Sequence, residues 1–185
     1  MELNAYFVAI VAAVALIIEA FICLPRKKST KETILGMVLI LYLSAVVSIT
    51  LFPLPLYAYP EQPVYNYPIN VIPFCSLLEG IASPESNALT AGSLALVYLG
   101  NIALFIPLGI LIPILSKSRS WTYLTALILG VASSLTIELL QLAIGIHAGY
   151  LYRCVDIDDV ILNTAGTMIG FLLLKCSQRV VSQRQ

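Results

Sequence analysis

Five stretches of this chain are each apolar for about as long as a helix needs to cross a bilayer. They are residues 5–24, 33–52, 94–115, 122–146 and roughly 157–174. A hydrocarbon core of roughly 30 Å takes about 20 such residues at a helical rise of about 1.5 Å. Backbone amides in lipid must find partners within their own segment, so these stretches are expected to be helices. Composition agrees, since 59% of residues are hydrophobic and only 11% charged. That excludes an ordinary soluble domain. The expectation is an all-α polytopic membrane bundle of about five transmembrane helices, forming one domain over residues 1–185. No long internal repeat, low-complexity tract, Walker motif, dinucleotide fingerprint or basic nucleic-acid patch interrupts it.

The basic residues set an orientation. Arg26, Lys27, Lys28 and Lys31 lie between spans one and two, Lys117 and Arg119 between spans three and four. Lys175, Arg179 and Arg184 follow span five. Residues 1–4 and the 53–93 loop carry no Lys or Arg. Positive charge is retained on the cytoplasmic side, so the amino terminus is expected outside and the carboxy terminus in the cytoplasm. Span one reads as an anchor and not a cleavable leader, because its basic residues follow the apolar run. Aromatic residues mark the boundaries, among them Tyr6, Trp121, Tyr123, Tyr150 and Tyr152. Glu19, near the cytoplasmic end of span one, reads as a snorkelling or paired residue. Arg153 alone breaks the charge rule.

The 53–93 loop is dense in proline and tyrosine. Proline opposes regular structure, while aromatic residues oppose free disorder. A partly ordered cap on the outer surface is expected, with Ile72-Pro73-Phe74 dipping toward the bundle.

The remaining polar residues converge by depth. Asn101 lies about 10 Å in from the outer end of span three, and Glu138 and Gln141 lie similarly deep in span four. Asp158, Asp159 and Asn163 occupy the first turns of span five. Helical spacing puts Ser134, Glu138 and Gln141 on one face, and Asp159, Asn163, Gly166 and Gly170 on another. An outward-opening polar pocket follows. Ionisable groups at this depth are costly and mark function by default.

Simpler roles compete residue by residue. Asp156 can cap span five, with Asp159 favouring its positive end. Gly166-x-x-x-Gly170 suits close helix packing, and Asn101 suits an interhelical hydrogen bond. Pro107 and Gly109 are expected to kink span three. Glu138 needs protonation, hydration or a partner, and Arg153 is the natural one if the 147–156 loop folds back. The carboxylates are oxygen donors suited to Mg²⁺ or Ca²⁺, but the Asp-x-Asp-Asp spacing lacks the glycine and terminal glutamate of a calcium loop, so no metal site is assigned. His147 reads as an interfacial loop residue. Cys23 and Cys176 fall on the cytoplasmic side, whereas Cys75 and Cys154 both fall outside, where pairing is open to them.

Four fragments in order resemble the VanZ family of bacterial membrane proteins, named for a teicoplanin-resistance accessory protein. They are Asn70-x-x-Pro73-Phe74, Asn101-x-x-x-Phe105-x-Pro107-x-Gly109, Glu138-x-x-Gln141, and Arg153-x-x-Asp156-x-Asp158-Asp159-x-x-x-Asn163-x-x-Gly166-x-x-x-Gly170. The resemblance covers roughly residues 35–175. It implies a multi-pass protein of the bacterial cell membrane and a link to glycopeptide susceptibility, with no cofactor. The polar positions carried over are Asn70, Asn101, Glu138, Gln141, Arg153, Asp156, Asp159 and Asn163.

Two functions from different classes fit. In the first, a non-enzymatic envelope protein binds a membrane lipid, a lipid-linked cell-wall precursor, a glycopeptide or a partner in its outward pocket. Arg153 would hold a phosphate or carboxylate, and the carboxylates would take hydroxyls or amides. In the second, an intramembrane transferase or hydrolase uses Glu138 as general base, Asp159 as second carboxylate and Arg153 as anion stabiliser. A transporter is disfavoured by the missing inverted repeat.

Overall fold

A computed structural model describes residues 2–3, 9–14, 16–17, 29–55, 69–82, 88–116, 120–149 and 153–183. Besides helical residues near the amino terminus, the described chain forms α1 (Thr30–Leu51), α2 (Cys75–Ala82), α3 (Ala88–Leu115), α4 (Tyr123–Ala148) and α5 (Ile157–Ser182). All but α2 contain a run long and apolar enough to cross a membrane, that of α3 being Gly92–Leu115. The chain is thus an all-α, multi-pass bundle. Residues 9–14 and 16–17 of span one are helical, while the rest of that span, with Glu19 and Cys23, lies outside the described residues.

Expected and observed limits differ most at the end of α5. The helix runs eight residues past the expected limit at 174, through Lys175 and Arg179 to Ser182. Beyond Gly170 the segment holds neither glycine nor proline, so nothing breaks it. His147 sits in the last turn of α4 and not in a loop. There Gly149 adopts φ 72° and returns its N–H to the Gly145 carbonyl, a left-handed cap that suits glycine. α3 continues as one helix through Pro107 and Pro113.

The core is the α3–α5 contact, backed by α4. A Cβ built on Gly109 would lie 2.0 Å from the Thr167 carbonyl oxygen. Equivalent atoms on Gly166 and Gly170 would lie 2.1 Å from the carbonyl oxygens of Ile102 and Ile106. Only glycine lets the two backbones approach so closely, which in lipid is how helices gain van der Waals contact. Phe105, Thr167 and Phe171 fill the adjacent interior, while Leu96, Leu99, Ile128, Leu139 and Leu173 stay exposed on the outside, as lipid-facing residues should. α1 packs differently, with Val46 its one buried residue.

Four two-residue strands tie the ends. β1 (Glu2–Leu3) pairs antiparallel with β2 (Leu54–Pro55), and β3 (Ile69–Asn70) pairs in parallel with β4 (Val155–Asp156). The second pair carries the 53–93 loop back to the start of α5.

Candidate functional site

The site is built around the first turn of α5. Asp156 is its N-cap, with Oδ1 accepting the Asp158 N–H at 2.9 Å. The same oxygen accepts from Asn70 Nδ2 at 2.9 Å. Asn70 in turn accepts the Ile72 N–H on Oδ1 at 3.1 Å, which turns the chain toward Pro73-Phe74. Phe74 adopts φ 61°, uncommon for a residue with a Cβ, and points its N–H at Asp158 Oδ1, 2.6 Å away. The other oxygen of Asp158 accepts from Tyr98 Oη at 2.5 Å. Asp158 is only 2% exposed, and its carboxylate docks the loop on α5 and α3 at once.

Asp159 meets α3 as well, and α4 besides. Asn101 Nδ2 donates to its Oδ1, and Ser134 Oγ donates to its backbone carbonyl at 3.2 Å. Ser134 also accepts from Asn163 Nδ2 at 2.9 Å, and the Asn163 carbonyl accepts from Thr167 Oγ1 at 3.0 Å. A polar file therefore descends from Asp159 into the α4–α5 interface. Within it, Asn163 Oδ1 and Thr164 Oγ1 are buried without a hydrogen-bond partner.

Glu138 is buried on α4, and its Oε2 accepts the Asp156 N–H at 3.1 Å. Among the described residues this is the one hydrogen bond to its carboxylate, and Asp159 likewise engages one of its two carboxylate oxygens. Each of these two carboxylates thus keeps one oxygen without a donor among the described residues.

Gln141 and Arg153 perform a different task from the rest. Gln141 Nε2 donates to the Thr50 carbonyl at 2.9 Å, and Arg153 Nη2 donates to the carbonyls of Phe52 at 3.1 Å and Ile49 at 3.3 Å. Together they close the carboxy-terminal end of α1. The last carbonyls of a helix have no partners of their own and carry partial negative charge, which an arginine complements. The Arg153 charge also reaches Glu138 and Asp159.

All eight residues carried over by the family resemblance therefore lie at the end of the bundle where α5 begins. Asn70 and Glu138 bond to Asp156 and Asn101 to Asp159, Asn163 joins them through Ser134, and Gln141 and Arg153 reach away to the end of α1. Asp158, Tyr98, Ser134 and the Phe74 amide complete the arrangement. Tyr98 precedes Asn101 by three residues and so shares its helix face, a spacing that points to it. Four carboxylates meet one guanidinium here, so the site attracts donors: hydroxyls, amides and ammonium groups. The two thiols nearby, Cys75 and Cys154, are not joined in a disulfide. Burial, and then the Asp156 charge, push the Cys154 thiol up from its ordinary value. Hydrogen bonding to Glu79 does the same for Cys75.

No curated protein and no solved structure matches the chain. The VanZ/LLP1 family model matches residues 39–178, a stretch that runs from within α1 almost to the end of α5 and takes in every side chain of the site. The chain is a member of the VanZ family.

Proposed function

We propose that this is a bacterial cell-membrane protein whose carboxylate end opens outward and binds the head of an envelope lipid or lipid-linked cell-wall precursor, lowering the access of glycopeptide antibiotics such as teicoplanin. The observation that carries the reading is the pair of half-used carboxylates, Glu138 and Asp159, each holding one oxygen without a protein donor among the described residues. Such acceptors suit the hydroxyls and amides of a sugar or peptide head. Arg153 contributes by fixing the end of α1 beside them, and its charge reaches both carboxylates.

The lip of the site supports access from the membrane surface. Val71, Ile72 and Phe74 are exposed next to it, as are Leu78 and Ile81 on α2. An apolar rim of this kind lies comfortably in the headgroup layer.

The test is teicoplanin susceptibility of a sensitive Gram-positive host carrying the wild-type chain, the Asp159→Asn variant or an empty vector. Protection by the wild type and its loss in the variant at matched membrane levels is the expected result. Equal susceptibility of wild type and vector would remove the antibiotic reading. The same open carboxylates favour one second reading, an intramembrane transferase or hydrolase with Glu138 as general base. Turnover of a lipid-linked precursor that is abolished in Glu138→Gln would select it.

A further inference from the structure

Beside the carboxylate end, a groove of about 330 Å³ runs between α1, α3 and α4. Its walls include Tyr42, Val46, Phe105, Leu108, Ile137 and Leu140. It reaches Thr50 and Leu51 at the end of α1, where Gln141 holds the Thr50 carbonyl. The groove therefore abuts the residues that border the polar site.

Three of its four hydroxyls, all but that of Ser133, are directed elsewhere. Tyr42 Oη donates to the Leu104 carbonyl at 2.9 Å, Thr50 Oγ1 to the Val46 carbonyl at 2.8 Å, and Thr136 Oγ1 to the Ala132 carbonyl at 2.7 Å. With these donors satisfied by backbone, the walls offer little to a polar occupant. The size is also selective: a helix with its side chains is about 10 Å across and does not enter so small a volume. A flexible hydrocarbon does, and the groove lies within membrane-spanning helices where hydrocarbon is the surrounding solvent.

We infer that this groove seats an acyl chain of the envelope lipid whose head the carboxylate end takes, an inference that rests on the headgroup reading above. One molecule would then place its polar group against Glu138 and Asp159 and its chain against Val46, Leu108 and Leu140. α1, with a single buried residue, is the wall that yields to admit it.

The experiment uses the full chain in bilayer nanodiscs containing phosphatidylglycerol with a diazirine in one acyl chain. After irradiation, adducts on Val46, Leu108 and Ile137 should exceed those on the lipid-facing Leu99, Ile128 and Leu139 several-fold. Leu108→Trp, which fills the groove, should bring the two sets level, and Val46→Phe should do the same from the other wall. Equal labelling of both sets in the wild type would overturn the inference, including the case in which another segment of the chain fills the groove. A diazirine-bearing polyprenyl phosphate, whose anionic head offers the carboxylates no comparable hydroxyls, should give no enrichment when used alone, and enrichment from it in place of the phospholipid would overturn the acyl-chain assignment. The labelling is read without the headgroup site. Enriched adducts together with protection retained by Asp159→Asn would discard the headgroup reading alone, whereas protection lost in that variant without enrichment would discard the groove alone.

Discussion

The two ends of the bundle solve the same problem in opposite ways. Where α3 gives way to α4, polar groups are satisfied by near neighbours: Thr122 and Thr125 cap each other reciprocally, and Trp121 Nε1 donates to Ser116 Oγ. Lys175 rests over the Phe171 ring, 5.2 Å from its centroid. These are the anchors of any membrane boundary. At the end where α5 begins, partners lie far apart in sequence: Asn70 with Asp156, Tyr98 with Asp158, Asn101 with Asp159, and Arg153 with Phe52. Local pairs end a helix. Distant pairs cross-link four segments around buried and half-buried carboxylates, at a cost that boundary anchoring does not require.

If this contrast is right, the largest loss follows from Asp158→Ala. It strands the Phe74 amide and the Tyr98 hydroxyl, two part-buried donors, each at a cost toward the low end of about 1–3 kcal/mol. Thermal unfolding in detergent should show a lower midpoint than that of Arg153→Ala or Thr122→Ala, and a midpoint near wild type would break the comparison.

The contrast also explains what can be read without coordinates. The face shared by Ser134, Glu138 and Gln141 and the Asn101–Asp159 contact both follow from helical spacing and depth. The destinations of Gln141 and Arg153 do not, because the open carbonyls of a helix end leave no mark on a side-chain pattern. A partnership of Arg153 with Glu138 is the natural expectation from charge alone; the guanidinium instead spends Nη2 on backbone and acts on Glu138 through its field. The Phe74–Asp158 bond is equally hidden, since it depends on an uncommon backbone conformation in a proline-rich loop. Spacing within one helix was legible, whereas contacts made by loops and helix ends were not. Expectations for Tyr150, Tyr152, Lys117 and Arg119 fall outside the described residues.

Next in size is Arg153→Ala, which uncovers the end of α1. Hydrogen bonds from charged groups contribute about 1.5–3 kcal/mol, and the exposure of Arg153 places the expected loss at the low end. Arg153→Lys should recover only part, because an ammonium lacks the planar fork. Full recovery in the unfolding midpoint would mean that charge alone holds α1. The smallest effect is expected at the opposite end, where Thr122→Ala removes one cap worth about 1 kcal/mol. It should shift the midpoint slightly and leave function untouched, and any loss of protection would erase the distinction between the ends.

The most direct measurement sets one residue from each end against the other. Glu138→Gln and Lys175→Gln are expressed at matched membrane levels in a teicoplanin-sensitive host that the wild-type chain protects. Glu138→Gln should abolish protection while its unfolding midpoint stays close to wild type, and Lys175→Gln should protect fully. Protection retained by Glu138→Gln, or lost equally in both, would contradict a functional site at the carboxylate end.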